Sequence, residues 1–324
     1  MKRYIATLLL VVALLSASHT AVSRPQIHTE YPTYFAPSNG ISIAYQEFGN
    51  PTDETVLLVM GLGAQLIHWN DDFVHRLVAA GYHVIRYDNR DIGLSEKLYE
   101  AGEPGLFTML KYKLGWDLGA PYDLSDMAAD GIGLLDYLDI ERAHVVGVSM
   151  GGMIAQIMAA EYPDRITSLA SVMSTSGAKH LPEGPHKVEL RDRAGLPREE
   201  IVAQIAQISK AIYAKEGGLT DEQWLASAAR GYDRSHYDPG FARQVWAVLQ
   251  SGDRVDLLKS LTLPTVVIHG SLDPLLLPEH GEHTASLVAD SQWVLLDDMG
   301  HFMGAEHHER VVAAIVSNIG RVKN

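Results

Sequence analysis

One hexapeptide constrains this chain more than any other stretch: Gly147-Val148-Ser149-Met150-Gly151-Gly152. The apolar run HVVGV (144–148) leads into it and the helical pattern MIAQIMAAEYP leads out. G-x-S-x-G between a strand and a helix is a nucleophile elbow, a sharp turn that lifts the serine hydroxyl above a sheet edge. Such a turn strains the serine backbone, and side chains at positions 147 and 151 would collide with neighbouring backbone. The helix that starts here turns its positive end toward Ser149, which favours developing negative charge.

The rest of the chain has a matching rhythm. Residues 41–45 (ISIAY) alternate as a strand with one exposed face does. Short apolar runs follow at 56–60, 83–87, 144–148, 168–173, 266–269 and 293–296. Helical spacing appears at 71–80, 123–138, 152–162 and 308–319. Strands alternating with helices predict an α/β fold, a mostly parallel twisted sheet with helices on both faces. Residues 176–258 interrupt the rhythm with helical patterns at 200–214, 221–229 and 240–249 and no clear strand. A helical insertion between two strands accounts for them.

The N-terminus reads as a targeting segment. Lys2 and Arg3 precede 11 largely apolar residues at 5–15 (IATLLLVVALL). Small residues follow that suit cleavage after Ser18 or Ser23. A membrane-spanning helix needs ~20 apolar residues, so this run is short. Residues 1–23 are therefore expected to be a signal peptide, with the mature chain secreted or periplasmic and without a stable membrane anchor. The formal charge is −14, and processing removes two cations. That balance argues against nucleic acid, which needs a basic footprint. With no cysteine, disulfides, thiolate metal sites and a cysteine nucleophile are excluded.

A nucleophilic serine needs a base, and the base needs a group to orient it. His301 lies just after the last strand pattern, in Asp297-Asp298-Met299-Gly300-His301-Phe302. Asp273 follows the strand pattern TVVIH, in Gly270-Ser271-Leu272-Asp273-Pro274. Both positions belong to the carboxyl edge of the sheet, where open α/β folds bind ligands. Asp273 is the expected acid, with Asp297 and Asp298 behind it. The chain order Ser149, Asp273, His301 is that of this architecture. An oxyanion requires backbone N–H donors, expected from Met150 and from Leu62 in Gly61-Leu62-Gly63. That loop lacks the third glycine of a dinucleotide fingerprint, so no nicotinamide or flavin cofactor is implied. Asp88 and Arg90, in DNRDIGLS after the strand HVIRY, are expected to hold loops by ion pairs and hydrogen bonds. His280 and His283, and His307 and His308, lack the H-E-x-x-H spacing of a metal site; they are read as solvated helix surface, and no metal is expected. His68-Trp69, just after the oxyanion loop, is read either as a structural pair or as a substrate contact. The aromatic residues of the insertion, Tyr213, Trp224, Tyr232, Tyr237 and Trp246, are read mainly as its own core.

Together the stretches LLVMGLGAQLIHW, HVIRYDNRDIGLSEK, AHVVGVSMGGMIAQ, PTVVIHGSLDPLL and DDMGHFM resemble the α/β-hydrolase superfamily from about residue 41 to 319. Within it the chain is most similar to the branch of aclacinomycin methylesterase and related small-molecule esterases. The resemblance implies Ser149 as nucleophile, Asp273 as acid, His301 as base, and the Leu62 and Met150 amides as oxyanion hole. It implies a hydrolase core of 24–175 and 259–324 under a helical cap, 176–258. Two departures stand out. Met60-Gly61 replaces the superfamily's usual His-Gly, and Asp91 replaces the first glycine of D-x-R-G-x-G-x-S; relatives in this branch share both tendencies. A serine nucleophile excludes the dehalogenase and epoxide hydrolase chemistry of this fold. Fold likeness alone does not fix the reaction. Hydrolysis of a small ester is the expected function. The rivals are C–C hydrolysis of a vinylogous diketone with the same residues and a hydrolase-fold protein that only binds ligands.

Overall fold

A computed structural model describes residues 31–105, 107–189, 193–215 and 218–322. The expected signal peptide, 1–23, lies outside the described residues. In chain order the elements begin with β1 (Tyr34–Ser38), β2 (Ile41–Phe48), β3 (Thr55–Val59), α1 (Asp71–Ala79), β4 (His83–Tyr87), α2 (Thr108–Leu114) and α3 (Leu124–Tyr137). They continue with β5 (Ala143–Val148), α4 (Met150–Glu161), β6 (Ile166–Val172), α5 (Arg198–Tyr213), α6 (Asp221–Arg234), α7 (Asp238–Ser251) and α8 (Val255–Ser260). The last are β7 (Thr265–Gly270), α9 (Pro278–Leu287), β8 (Gln292–Leu296) and α10 (His308–Ile319).

The eight strands form one sheet in the order β1-β2-β4-β3-β5-β6-β7-β8. β1 and β2 are antiparallel to their neighbours, and every pairing from β4 to β8 is parallel. Successive side chains of a strand face opposite ways, and β3 shows the result. Leu57 and Val59 join the core layer built with α3 and α4; Val56 and Leu58 join the layer built with α1 and α10. Burial on both faces is why these strands read as continuous apolar runs.

Three local features depart from the sequence reading. β2 has no exposed face over its middle, because Ile43, Ala44, Tyr45 and Gln46 are all buried. Gln46 hides there by accepting a hydrogen bond from the Arg86 guanidinium at 2.9 Å. β1 is a short edge strand containing Pro37, with two exposed aromatic residues, Tyr34 and Phe35, so it carries no apolar signature. α2 leaves Leu110, Tyr112 and Leu114 exposed, so these residues make no inward apolar stripe of the kind that marks a helix in sequence.

Leu57 is fully buried at the centre of the sheet. Leu57→Ala should cost about 2–5 kcal/mol of stability in a urea unfolding titration. A loss below about 1 kcal/mol would contradict this central packing.

Candidate active site

Parallel pairing sets the site's position. Val59 of β3 lies beside Gly147 of β5, so the segments leaving the two strands emerge side by side at the carboxyl edge. One is Gly61-Leu62-Gly63 and the other Val148-Ser149-Met150. A Cβ on Gly61 would lie 3.2 Å from the Ser149 Cβ. Ser149 has φ 54° and ψ −121°, a conformation L-residues rarely adopt and one that costs of order 1–3 kcal/mol. Its N–H donates to the Val172 carbonyl at 2.9 Å, and its carbonyl accepts from the Ser174 hydroxyl at 2.7 Å. Glycine is required on both sides. A Cβ on Gly147 would strike the Gly151 carbonyl, and one on Gly151 would strike the Val59 and Met60 carbonyls.

Asp273 follows β7 and His301 follows β8, at the same edge. The His301 Nε2 is 2.9 Å from the Ser149 Oγ, and its Nδ1 is 2.6 Å from an Asp273 carboxylate oxygen. The other carboxylate oxygen accepts the Leu275 and Leu276 N–H groups, each at 2.9 Å. Burial would raise the Asp273 pKa, but the His301 charge and the imidazoles of His269 and His301 outweigh it. The carboxyl is held well below the usual carboxylate range. His269 is fully buried, 3.3 Å from Asp273, and its Nε2 also meets the Leu276 carbonyl at 2.8 Å. The sequence reading did not single His269 out, although it stands near the end of β7, four residues before Asp273. His301 takes part of its support from the insertion, because its N–H donates to the Ile212 carbonyl of α5 at 2.8 Å.

Neither Asp297 nor Asp298 meets His301. Asp298 bonds to Arg310 and Lys215 instead. The Arg310 bond is the largest reason its carboxyl is held down to about 2. The Leu62 and Met150 N–H groups, which flank Ser149, have no hydrogen-bond partner among the described residues. Hydrogen-bond donors left free beside a serine can receive an oxygen that gains negative charge.

A cavity of about 760 Å³ opens onto Ser149 and His301. Leu62, Ile92, Met173, Ile208, Phe241 and Phe302 give it an apolar lining. Tyr232 and Tyr237 border it, whereas Tyr213 and Trp224 pack with Val202, Ala206 and Ala228 in a small core of their own. His68 and Trp69 both border the cavity, and the buried Trp69 ring stacks on Phe73. Among the described residues, the lysine and arginine bordering the cavity, Lys187 and Arg193, are paired with Glu183 and Asp238.

Asp88 and Arg90 do hold loops. Asp88 accepts the Leu66 and Leu94 N–H groups at 2.7 and 2.8 Å and pairs with Arg234 of α6 at 2.8 Å. Arg90 forks onto Asp130 with two 2.6 Å bonds. Asp91 does likewise with Arg243 of α7, at 2.8 Å twice. The pairs joining α6 and α7 to this loop are almost fully buried.

The histidines read as solvated are not. His307 and His308 are buried. α10 packs its first turn against α1, where the His308 Nδ1 meets Asp72 at 2.8 Å and its ring meets Phe73 edge-on; His307, just before α10, accepts the Gly304 N–H at 3.1 Å and places its Nε2 3.2 Å from the Asp298 carbonyl. His280 is half-buried between the Thr175 hydroxyl and the Pro182 carbonyl, and His283 is half-buried on the Ser176 hydroxyl. Among the described residues no group of three or more His, Asp or Glu side chains is arranged to hold a metal ion.

A family model described as alpha/beta hydrolase fold matches residues 54–308. The chain is 26% identical to rhodomycin D methylesterase DnrP of Streptomyces peucetius, over 89% of this chain and 98% of that one. It is also 26% identical to a 2-hydroxy-6-oxononadienedioate/2-hydroxy-6-oxononatrienedioate hydrolase of Cupriavidus pinatubonensis, over 82% and 87%. Among solved structures, a hydrolase from Pseudomonas aeruginosa PA01 superimposes with a TM-score of 0.68 at 25% identity, covering 89% of this chain and 98% of that one.

Arg234→Met leaves the Asp88 charge buried without its cation. It should cost roughly 3–5 kcal/mol in urea unfolding; a loss below about 1 kcal/mol would mean the pair does not hold α6 to the core.

Proposed function

Because the chain belongs to the alpha/beta hydrolase fold family, we propose that it is a serine hydrolase of small, largely apolar carboxylic esters. The observation that carries the proposal is the unbroken relay Ser149 Oγ, His301 Nε2, His301 Nδ1, Asp273. His301 takes the hydroxyl proton as Ser149 Oγ bonds to the ester carbonyl carbon. The carbonyl oxygen becomes an oxyanion received by the Leu62 and Met150 N–H groups. His301 then hands its proton to the departing alcohol as the C–O bond breaks, leaving an acyl-Ser149. Water, deprotonated by His301, attacks the acyl carbon, and the acid leaves with the serine proton restored. Asp273 stays ionised throughout, orienting the imidazole and stabilising its charged form.

Two features support an ester over the alternative, C–C hydrolysis of a vinylogous diketone. The lining is mainly apolar, and the described cations bordering the cavity are already paired, so a carboxylate-bearing substrate meets no free cation among them. The methylesterase relatives support the same choice; the oxononadienedioate hydrolase relatives support the alternative. In this reading residues 176–258 form a cap over the cavity, and residues 1–23 direct the chain out of the cytoplasm. Cell fractionation of a tagged protein tests the latter: uncut protein found only in the cytosol would overturn it.

Purified protein should hydrolyse short p-nitrophenyl esters. Ser149→Ala should lower kcat by at least ~10⁴-fold, and Asp273→Asn by roughly 10⁴-fold, by leaving the imidazole in the wrong tautomer. Equal turnover by wild type and Ser149→Ala would end the proposal. Rapid diketone cleavage with negligible ester cleavage would favour the alternative.

A further inference from the structure

The loop that would supply the first oxyanion donor is not held by the hydrolase core alone. Gly63, one residue beyond Leu62, donates its N–H to the Gln244 Oε1 of α7 at 2.9 Å. The Gln244 Nε2 in turn donates to the Arg90 carbonyl at 3.0 Å. Gln244 is fully buried, so each of its polar atoms has a specific protein partner in place of water. Gly63 has φ 68°, and a Cβ there would lie against the Phe241 ring, also on α7. The loop's far end is tied to α6: the Gln65 Nε2 donates to the Gly231 carbonyl at 2.6 Å and to the Ser235 carbonyl at 2.8 Å. Its Oε1 accepts from Arg234 at 2.7 Å. Between these two anchors lies Ala64, whose N–H closes a tight turn onto the Gly61 carbonyl at 3.2 Å, with Leu62 and Gly63 inside that turn.

We propose that Gln244 is a positioning residue for the oxyanion hole: by capturing the Gly63 N–H it fixes the turn that aims the Leu62 N–H toward the oxygen of the ester on Ser149. The helices of the insertion then complete the charge-stabilising apparatus as well as shaping the pocket. This inference rests on the ester hydrolase reading above. Oxyanion donors act only when held in place before the reaction. An amide left to rotate freely spends its interaction on reorganisation. The Leu62 side chain packs on the core, and the bond from Gly63 to Gln244 is the nearest hydrogen bond to Leu62 that comes from outside the loop among the described residues.

Gln244→Met keeps the side chain's length and removes both hydrogen bonds. It should lower kcat on a p-nitrophenyl ester by roughly 10- to 100-fold, a part of the about 10²–10³-fold that outright loss of an oxyanion donor costs. KM should stay within about twofold, since the unreacted ester carries no oxyanion. An alkyl trifluoromethyl ketone, whose adduct with Ser149 carries a tetrahedral oxyanion, should lose affinity by the same factor as kcat/KM. Gln244→Glu should recover most of both, because a protonated carboxyl can accept from Gly63 and donate to the Arg90 carbonyl; if the Met variant does not fold, Gln244→Asn, one methylene too short to reach both partners, should show the same loss of kcat, and wild-type kcat in it would overturn the inference. A folded Gln244→Met with wild-type kcat, a loss confined to KM, or undiminished trifluoromethyl ketone affinity would overturn the inference while leaving the hydrolase reading intact. Wild-type protein without Ser149-dependent turnover would overturn both.

Discussion

A serine held at φ 54° and ψ −121° is a local cost that the surrounding fold must outweigh, and the surroundings are specific. The parallel register of β3 and β5 puts two chain exits side by side. Gly147 and Gly151 let the turn close against backbone where any side chain would intrude. Val172 and Ser174, from the next strand and its exit, bond the serine's own N–H and carbonyl. The hydroxyl is thereby fixed relative to the sheet edge. That fixed point gives the His301 imidazole, 152 residues later in sequence, something to meet.

The chemistry follows from how the partners are buried. Asp273 loses water on folding but gains two backbone amides on one oxygen and two imidazoles near the other. A buried carboxylate supplied with that many donors stays ionised. Its charge is then available to an imidazole that becomes positive during the proposed cycle. The Leu62 and Met150 amides are the complementary case: they have no hydrogen-bond partner among the described residues, and in the proposed cycle they receive the negative oxygen.

Much of this was legible in the chain because it is local. The strand, elbow and helix around Ser149 occupy one continuous stretch, and strand patterns immediately precede Asp273 and His301. Positions just past a strand's end share a sheet edge whatever the rest of the fold does. The contacts that hold α6 and α7 to the core were not legible. Gln244 and Gly63 are 181 residues apart, Gln65 and Arg234 are 169 apart, and no periodicity connects such pairs. His307 and His308 misled for a related reason. A polar run at the start of a helix looks solvated until another helix, here α1, is packed against it. The strand β2 shows the same limit, since its alternation suggested a wet face that the Gln46 and Arg86 pair fills instead.

The central claim is that Ser149 forms the covalent bond to substrate. Mass spectrometry of the protein after treatment with a serine-directed fluorophosphonate, followed by peptide mapping, tests it at the atom concerned. The account predicts a single phosphonyl adduct on the peptide carrying Ser149, with labelling prevented by prior heat denaturation. Stoichiometric labelling at a different residue, or an unmodified Ser149 in protein that has lost its ester-cleaving activity to the reagent, would contradict it.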